Sequence, residues 1–221
     1  MKKIILYFLM IAPLSLFSQI GIKAGLNFAN VTKASSINNS SRSGFHAGVL
    51  FGASKGVIGS RTELIFSRQG YNYKSGTNTG NVNLDYIMLP QYMSINITKY
   101  FSIQLGGQMA ILLNAKADSS NSTSASSSND PYAKMMDYYN KFDYGYGGGI
   151  EIHPVSGLLI GARVNISLSK LYDFSSYSSG ESPSFLPKVD VKNNLFQVFA
   201  GWKFGGDKKE SKRKKEKEKS E

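Results

Sequence analysis

The sequence predicts an all-β protein: an eight-stranded antiparallel up-and-down transmembrane β-barrel with a filled polar interior. Three observations predict it. Leu158–Ser169 reads LLIGARVNISLS, with Leu158, Ile160, Ala162, Val164, Ile166 and Leu168 on one face and Leu159, Gly161, Arg163, Asn165, Ser167 and Ser169 on the other. A period of two over twelve residues marks a strand between unlike environments, and one long enough to cross a bilayer. Glycine supplies the second observation: glycines 21, 25, 44, 48, 52, 106, 145, 147, 149, 161 and 201 share the polar face, against only Gly107 and Gly148 on the apolar one. Eight strands enclose little space, so small residues point inward. The third is an alternation of short and long connections, which an up-and-down barrel gives when its rims face different compartments. A soluble ligand-binding barrel reverses the pattern, with the apolar face inside.

In chain order, Lys2 and Lys3 precede the apolar run Ile4–Phe17 and the small Ser18. A charged start, a short apolar core and a small residue before the cut predict a secretory signal peptide over 1–18 rather than a buried helix. Strands follow near 20–29, 44–54, 59–72, 83–97, 100–114, 142–153, 158–170 and 194–204. The joins 55–58, 98–99 and 154–157 are short and suit hairpin turns; 30–43, 73–82, 115–141 and 171–193 are longer and rich in Ser, Asn, Gly and Tyr. In the first strand Ile22, Ala24, Leu26 and Phe28 oppose Gly21, Lys23, Gly25 and Asn27. In the second, Phe45, Ala47, Val49 and Phe51 oppose Gly44, His46, Gly48 and Leu50. The third and fourth put Thr62, Leu64, Phe66, Ile87, Leu89 and Met93 outside, and Arg61, Glu63, Ser67, Gln69, Tyr86, Pro90 and Tyr92 inside. Pro90 cannot donate to a ladder, which predicts a bulge or a break in pairing beside it. In the fifth, Ser102, Gln104, Gly106, Gln108 and Asn114 are the inward set. In the last, Phe196, Val198, Trp202 and Phe204 face away from Gln197, Phe199 and Lys203.

Inward parity collects the charges Lys23, Arg61, Glu63, Asp143, Glu151, Arg163 and Lys203. Buried charges persist when paired, so Glu63 and Glu151 are expected to bridge Arg61, Arg163, Lys23 and Lys203 across the lumen. His46 and His153 are inward too, without metal-site spacing, and read as polar filling. No catalytic constellation, metal site or cofactor is expected. The glycines at 145–149 sit inside a strand with no helix after them, unlike a phosphate-binding loop. Tyr71, Tyr73, Tyr144 and Tyr172, with Trp202 and Phe204 at the other end, are expected to form interfacial aromatic girdles; Tyr132, Tyr138, Tyr139 and Phe142 read as neighbours of the first group, or as an adhesive patch.

The net charge of +11 divides unevenly. The leader holds two lysines and the tail eight basic against five acidic residues, leaving sixteen basic and ten acidic residues between them. A modest excess spread over a domain lacks the clustered basic face that nucleic acid needs, and no nucleic-acid partner is expected. Without cysteine there is no lipoprotein anchor, disulfide framework or thiolate site. The domain division is thus 1–18 signal peptide, 19–206 barrel and 207–221 a disordered, charged periplasmic tail, a candidate contact for peptidoglycan or an envelope protein.

Taken together, Gly21 to Asn27 as Gly-x-Lys-x-Gly-Leu-Asn, the Gly44/Gly48/Gly52 repeat, Glu63-Leu64, the Tyr86-to-Pro90 strand, Gly145–Ile152 and Trp202-Lys203-Phe204 resemble a known group. It is the PorT-like family of small outer-membrane barrels of Bacteroidota, similar in build to OmpX and the OmpA barrel, and the resemblance covers about 19–206. It implies outer-membrane lipid and the outer-membrane insertion machinery as partners, and a link to protein secretion. The expected function is non-enzymatic, structural or surface-interacting through extracellular loops. A narrow channel for small solutes and a lipid-active enzyme are the alternatives.

Overall fold

Strands whose two faces differ this sharply must close on themselves, because an open edge in lipid leaves backbone groups unpaired. The computed structural model describes residues 19–31, 40–75, 78–119, 135–172 and 191–204. Residues 1–18, residues 205–221 and most of the Ser/Asn tract 118–130, with Tyr132, lie outside them. Eight strands, β1 (Gln19–Val31), β2 (Ser40–Lys55), β3 (Ile58–Ser75), β4 (Asn78–Asn96), β5 (Phe101–Ser119), β6 (Phe142–Ile152), β7 (Leu158–Ser167) and β8 (Asn193–Phe204), form a closed antiparallel barrel in sequence order. Closure is made by β1 on β8, from Ile20 opposite Phe204 to Val31 opposite Asn193. A one-turn helix, α1 (Met135–Tyr138), precedes β6. No helix among the described residues is long and apolar enough to cross a membrane; the crossing elements are strands.

Both ends of the barrel chain and the turns after β2, β4 and β6 lie at one rim. At the β2–β3 turn Lys55 pairs with Ile58, leaving Gly56-Val57 at the tip; Gly56 has φ +78°, the left-handed start that a two-residue hairpin of matching twist requires.

The wall is uneven in height. β3, β4 and β5 run 18, 19 and 19 residues against 11, 10 and 12 for β6, β7 and β8. At about 3.3 Å per residue the tall strands reach ~60 Å, well beyond the ~10 residues a tilted strand needs to cross the hydrocarbon. The join expected over 73–82 is therefore mostly a hairpin, paired from Tyr71 with Val82 to Ser75 with Asn78. Pro90 interrupts the β3–β4 ladder without shifting it: pairing passes from Thr62 with Gln91 to Ile65 with Met88. The register shift of β4 against β5 lies instead at Asp85/Tyr86, opposite Leu112 and Asn114. That shift corrects one expected position. Asn114 leaves the inward set and donates to Asp85 at 3.5 Å, while Ala115 takes the buried place.

Candidate functional site

The outward face is apolar, with Ile22, Leu26, Phe45, Leu105, Ile111, Tyr146, Val164 and Trp202 all exposed. The chemistry lies inside, in layers that follow from strand parity. Nearest the short-turn rim, Arg61 Nη1 donates to Glu151 Oε1. Ser102 Oγ lies 3.4 Å from His153 Nε2, and Glu151 Oε2 is 3.7 Å from the same nitrogen, too far for a hydrogen bond. His153 stands just past β6; burial, then the nearby Lys203 ammonium, lowers its pKa, so the ring is neutral at neutral pH. Lys203 lines a recess at this rim with Arg61, Ser94 and Asn96. No direct bond from Lys203 to either carboxylate is present among the described residues.

One layer further in, Glu63 is fully buried and takes Lys23 Nζ at 3.1 Å and the Arg163 fork at 2.9 and 3.1 Å. Arg163 also donates to Gln104 Oε1 at 2.5 Å. Its guanidinium carbon lies 3.9 Å from the centre of the Tyr92 ring, and Lys23 Nζ lies 3.7 Å from that of Phe199. Rings on both sides shield these ion pairs from water, which strengthens them. The glycines of β6 leave the room: a Cβ on Gly147 would come within 2.9 Å of the Tyr92 hydroxyl.

Above the charges sits an amide layer. Tyr92 OH donates to Asn165 Oδ1 at 2.5 Å, Asn165 Nδ2 to Gln197 Oε1 at 3.0 Å, and Gln197 Nε2 to Asn27 Oδ1 at 3.0 Å. His46 Nδ1 reaches the same Asn27 oxygen at 2.8 Å. That oxygen can only accept, so Nδ1 is assigned a proton and donates to it. Higher again, the lumen turns apolar. Ile65, Val82, Leu84, Tyr86, Met88, Leu112, Leu171, Val191 and Leu195 pack with Tyr71, Tyr139 and Tyr172. Tyr71 OH meets Tyr139 OH at 2.8 Å and Tyr172 OH at 2.7 Å. This plug was not foreseen. It corrects the girdle: Tyr71 and Tyr172 face the interior, because Tyr71 shares the parity of Ser67 and Gln69, and Tyr172 follows the end of β7. Tyr144, Trp202 and Phe204 face outward, whereas the Tyr73 side chain lies outside the described residues.

A closed barrel, apolar outside and filled within, defines the class: a β-barrel protein of the outer membrane. The chain belongs to the outer membrane protein beta-barrel domain family, whose profile matches residues 13–173. No curated protein matches it. Among solved structures it is similar to Ail, the attachment invasion locus protein of Yersinia pestis, at 17% identity over 85% of this chain and 99% of that one, TM-score 0.47. It is also similar to the outer membrane protein OprG from Pseudomonas aeruginosa (9% identity, 86% and 98% covered, TM-score 0.43) and to neisserial surface protein A (14%, 84% and 96%, TM-score 0.42).

Proposed function

We propose that this barrel is a plugged, non-enzymatic component of the outer membrane, structural or surface-interacting, that works through its long-loop rim. The observation that carries the reading is the filled lumen, from the Arg61–Glu151 pair through Glu63 and Arg163 to the three tyrosines. The Ser102–His153–Glu151 geometry also favours it over a lipid-active enzyme. In a hydrolase the acid orients the ring nitrogen that the serine does not use, and here both groups approach Nε2. Within this reading the short-turn rim is periplasmic, residues 1–18 are removed on export, and the charged tail 207–221 contacts peptidoglycan or an envelope protein. The PorT-like resemblance makes protein secretion the process to test first.

The experiment is protease protection on intact cells, with one tag in the 118–130 segment and another after Glu221. The expected result is cleavage of the first at once and of the second only after the outer membrane is permeabilised. Cleavage of the tail tag alone in intact cells would invert the sidedness.

A further inference from the structure

The tall side of the barrel has an outer face whose character changes abruptly. Phe45, Phe66, Ile87 and Leu113 are the last apolar residues facing outward on β2–β5. Directly above them Arg68 makes a two-point pair with Asp85, at 2.7 and 3.0 Å, so its charge is matched. The next level carries cations. A register shift of β2 between Ser41 and His46 carries Arg42 across β3 and β4, where Nε donates to Asn83 Oδ1 at 2.8 Å and Nη1 to Asn72 Oδ1 at 3.1 Å. Gly70 makes way for it: a Cβ there would stand 3.2 Å from Arg42 Cδ and 1.9 Å from the Val82 carbonyl oxygen, and its φ of +148° suits glycine. In register, Asn83 lies between Gly70 on β3 and Lys116 on β5. Lys116 and Lys74 are exposed, and among the described side chains no carboxylate pairs with Arg42, Lys74 or Lys116.

We infer that Arg42, Asn83 and Lys116 form a docking site for the phosphate of a phosphorylated glycolipid packed against the barrel. Two amide oxygens hold the guanidinium plane by accepting from Nε and Nη1, leaving Nη2 to donate. Asn83, whose oxygen accepts from Arg42, keeps its NH2 as a donor and pairs in register with Lys116. Planar fork, amide donor and ammonium together suit a doubly charged oxyanion. Position selects a lipid over a soluble anion: Arg42 and Lys116 lie three residues beyond Phe45 and Leu113, or ~10 Å along the strand, at headgroup height above the apolar band. Acyl chains on Phe45, Phe66, Ile87 and Leu113 and a phosphate on the cations engage one continuous surface.

The test uses the full mature barrel in nanodiscs of phosphatidylcholine, alone or with diphosphorylated lipid A, dephosphorylated lipid A or phosphatidylglycerol. The readout is the temperature at which the compact, folded band is lost on gels. Diphosphorylated lipid A is expected to raise it, the other two lipids to leave it near the phosphatidylcholine value, and R42Q/K116Q to abolish the rise. K99Q, at the opposite rim, is expected to keep it. If the double variant gives no folded band, K116Q alone serves, since its exposed side chain has no partner among the described side chains; it is expected to lose about half the rise. An equal rise with dephosphorylated lipid A or phosphatidylglycerol, or a full rise in the glutamine variants, would overturn the proposal. The site's role in cells rests on the sidedness proposed above. Because a nanodisc offers lipid A in both leaflets, a negative result here and inverted protease protection are distinguishable failures.

Discussion

Glu63 carries a large electrostatic stake in the lumen, since three donor contacts from two cations converge on its fully buried carboxylate. Glu63→Ala strands Lys23 and Arg163 as buried, uncompensated charges, a change that costs about 3–5 kcal/mol. We expect a lower urea midpoint by gel shift in detergent, and a smaller loss for Glu151→Ala, whose partner Arg61 borders a recess at the rim. Equal losses would mean that the two pairs are equally sealed. Parity alone assigns both acids and all four bases to the inward set. It could not choose partners, because Glu63 and Arg163 are 100 residues apart and meet across the lumen. The tyrosines teach the complementary lesson. Tyr71 has the odd parity of Gln69, and that local signal outranks the general tendency of tyrosine to line interfaces.

At the scale of elements, the β3–β4 hairpin is where composition and structure part. Residues 73–82 are rich in Asn, Gly, Ser and Thr, which favours a loop. The strands continue to Ser75 and from Asn78 because the inner face just below, Tyr71, Val82 and Leu84, is covered. The cover comes from the segments after β5 and β7, joined by the Tyr139–Tyr172 bridge and by Asn140 N donating to Leu171 O at 2.9 Å. Tertiary packing thus sets the strand ends, and a reading confined to one segment misses it. Hydrogen exchange should find the amides of Tyr71, Val82 and Leu84 protected, though less than those of the membrane band. Tyr71→Ala should release the hairpin above Gly70 while leaving β6–β8 protected. If exchange above Gly70 were already unprotected in the wild type, the hairpin would be a loop after all.

For the whole molecule, two of the lumen layers act in series. The charged layer of Lys23, Glu63 and Arg163 closes the barrel toward the short-turn rim, and the layer of Tyr71, Tyr139 and Tyr172 closes it toward the other. Eight strands leave space that side chains fill, so the wild type should show no conductance above that of the bare planar bilayer. Series closure makes a sharper prediction than a single plug. K23A/E63A/R163A removes cations and acid together, which avoids leaving a buried charge unpaired. It should still not conduct, because an ion that crosses the emptied layer meets desolvation against the apolar tyrosine cluster. Y71A/Y139A/Y172A should stay closed at the charged layer for the reciprocal reason. Steady unitary currents should need both sets removed, and the remaining Arg61–Glu151 pair and amide layer should keep them small, with folding of every variant checked by its heat-dependent gel shift. Currents from the wild type would turn the reading toward a narrow channel, and currents from either single-layer variant would leave the other layer without a sealing role.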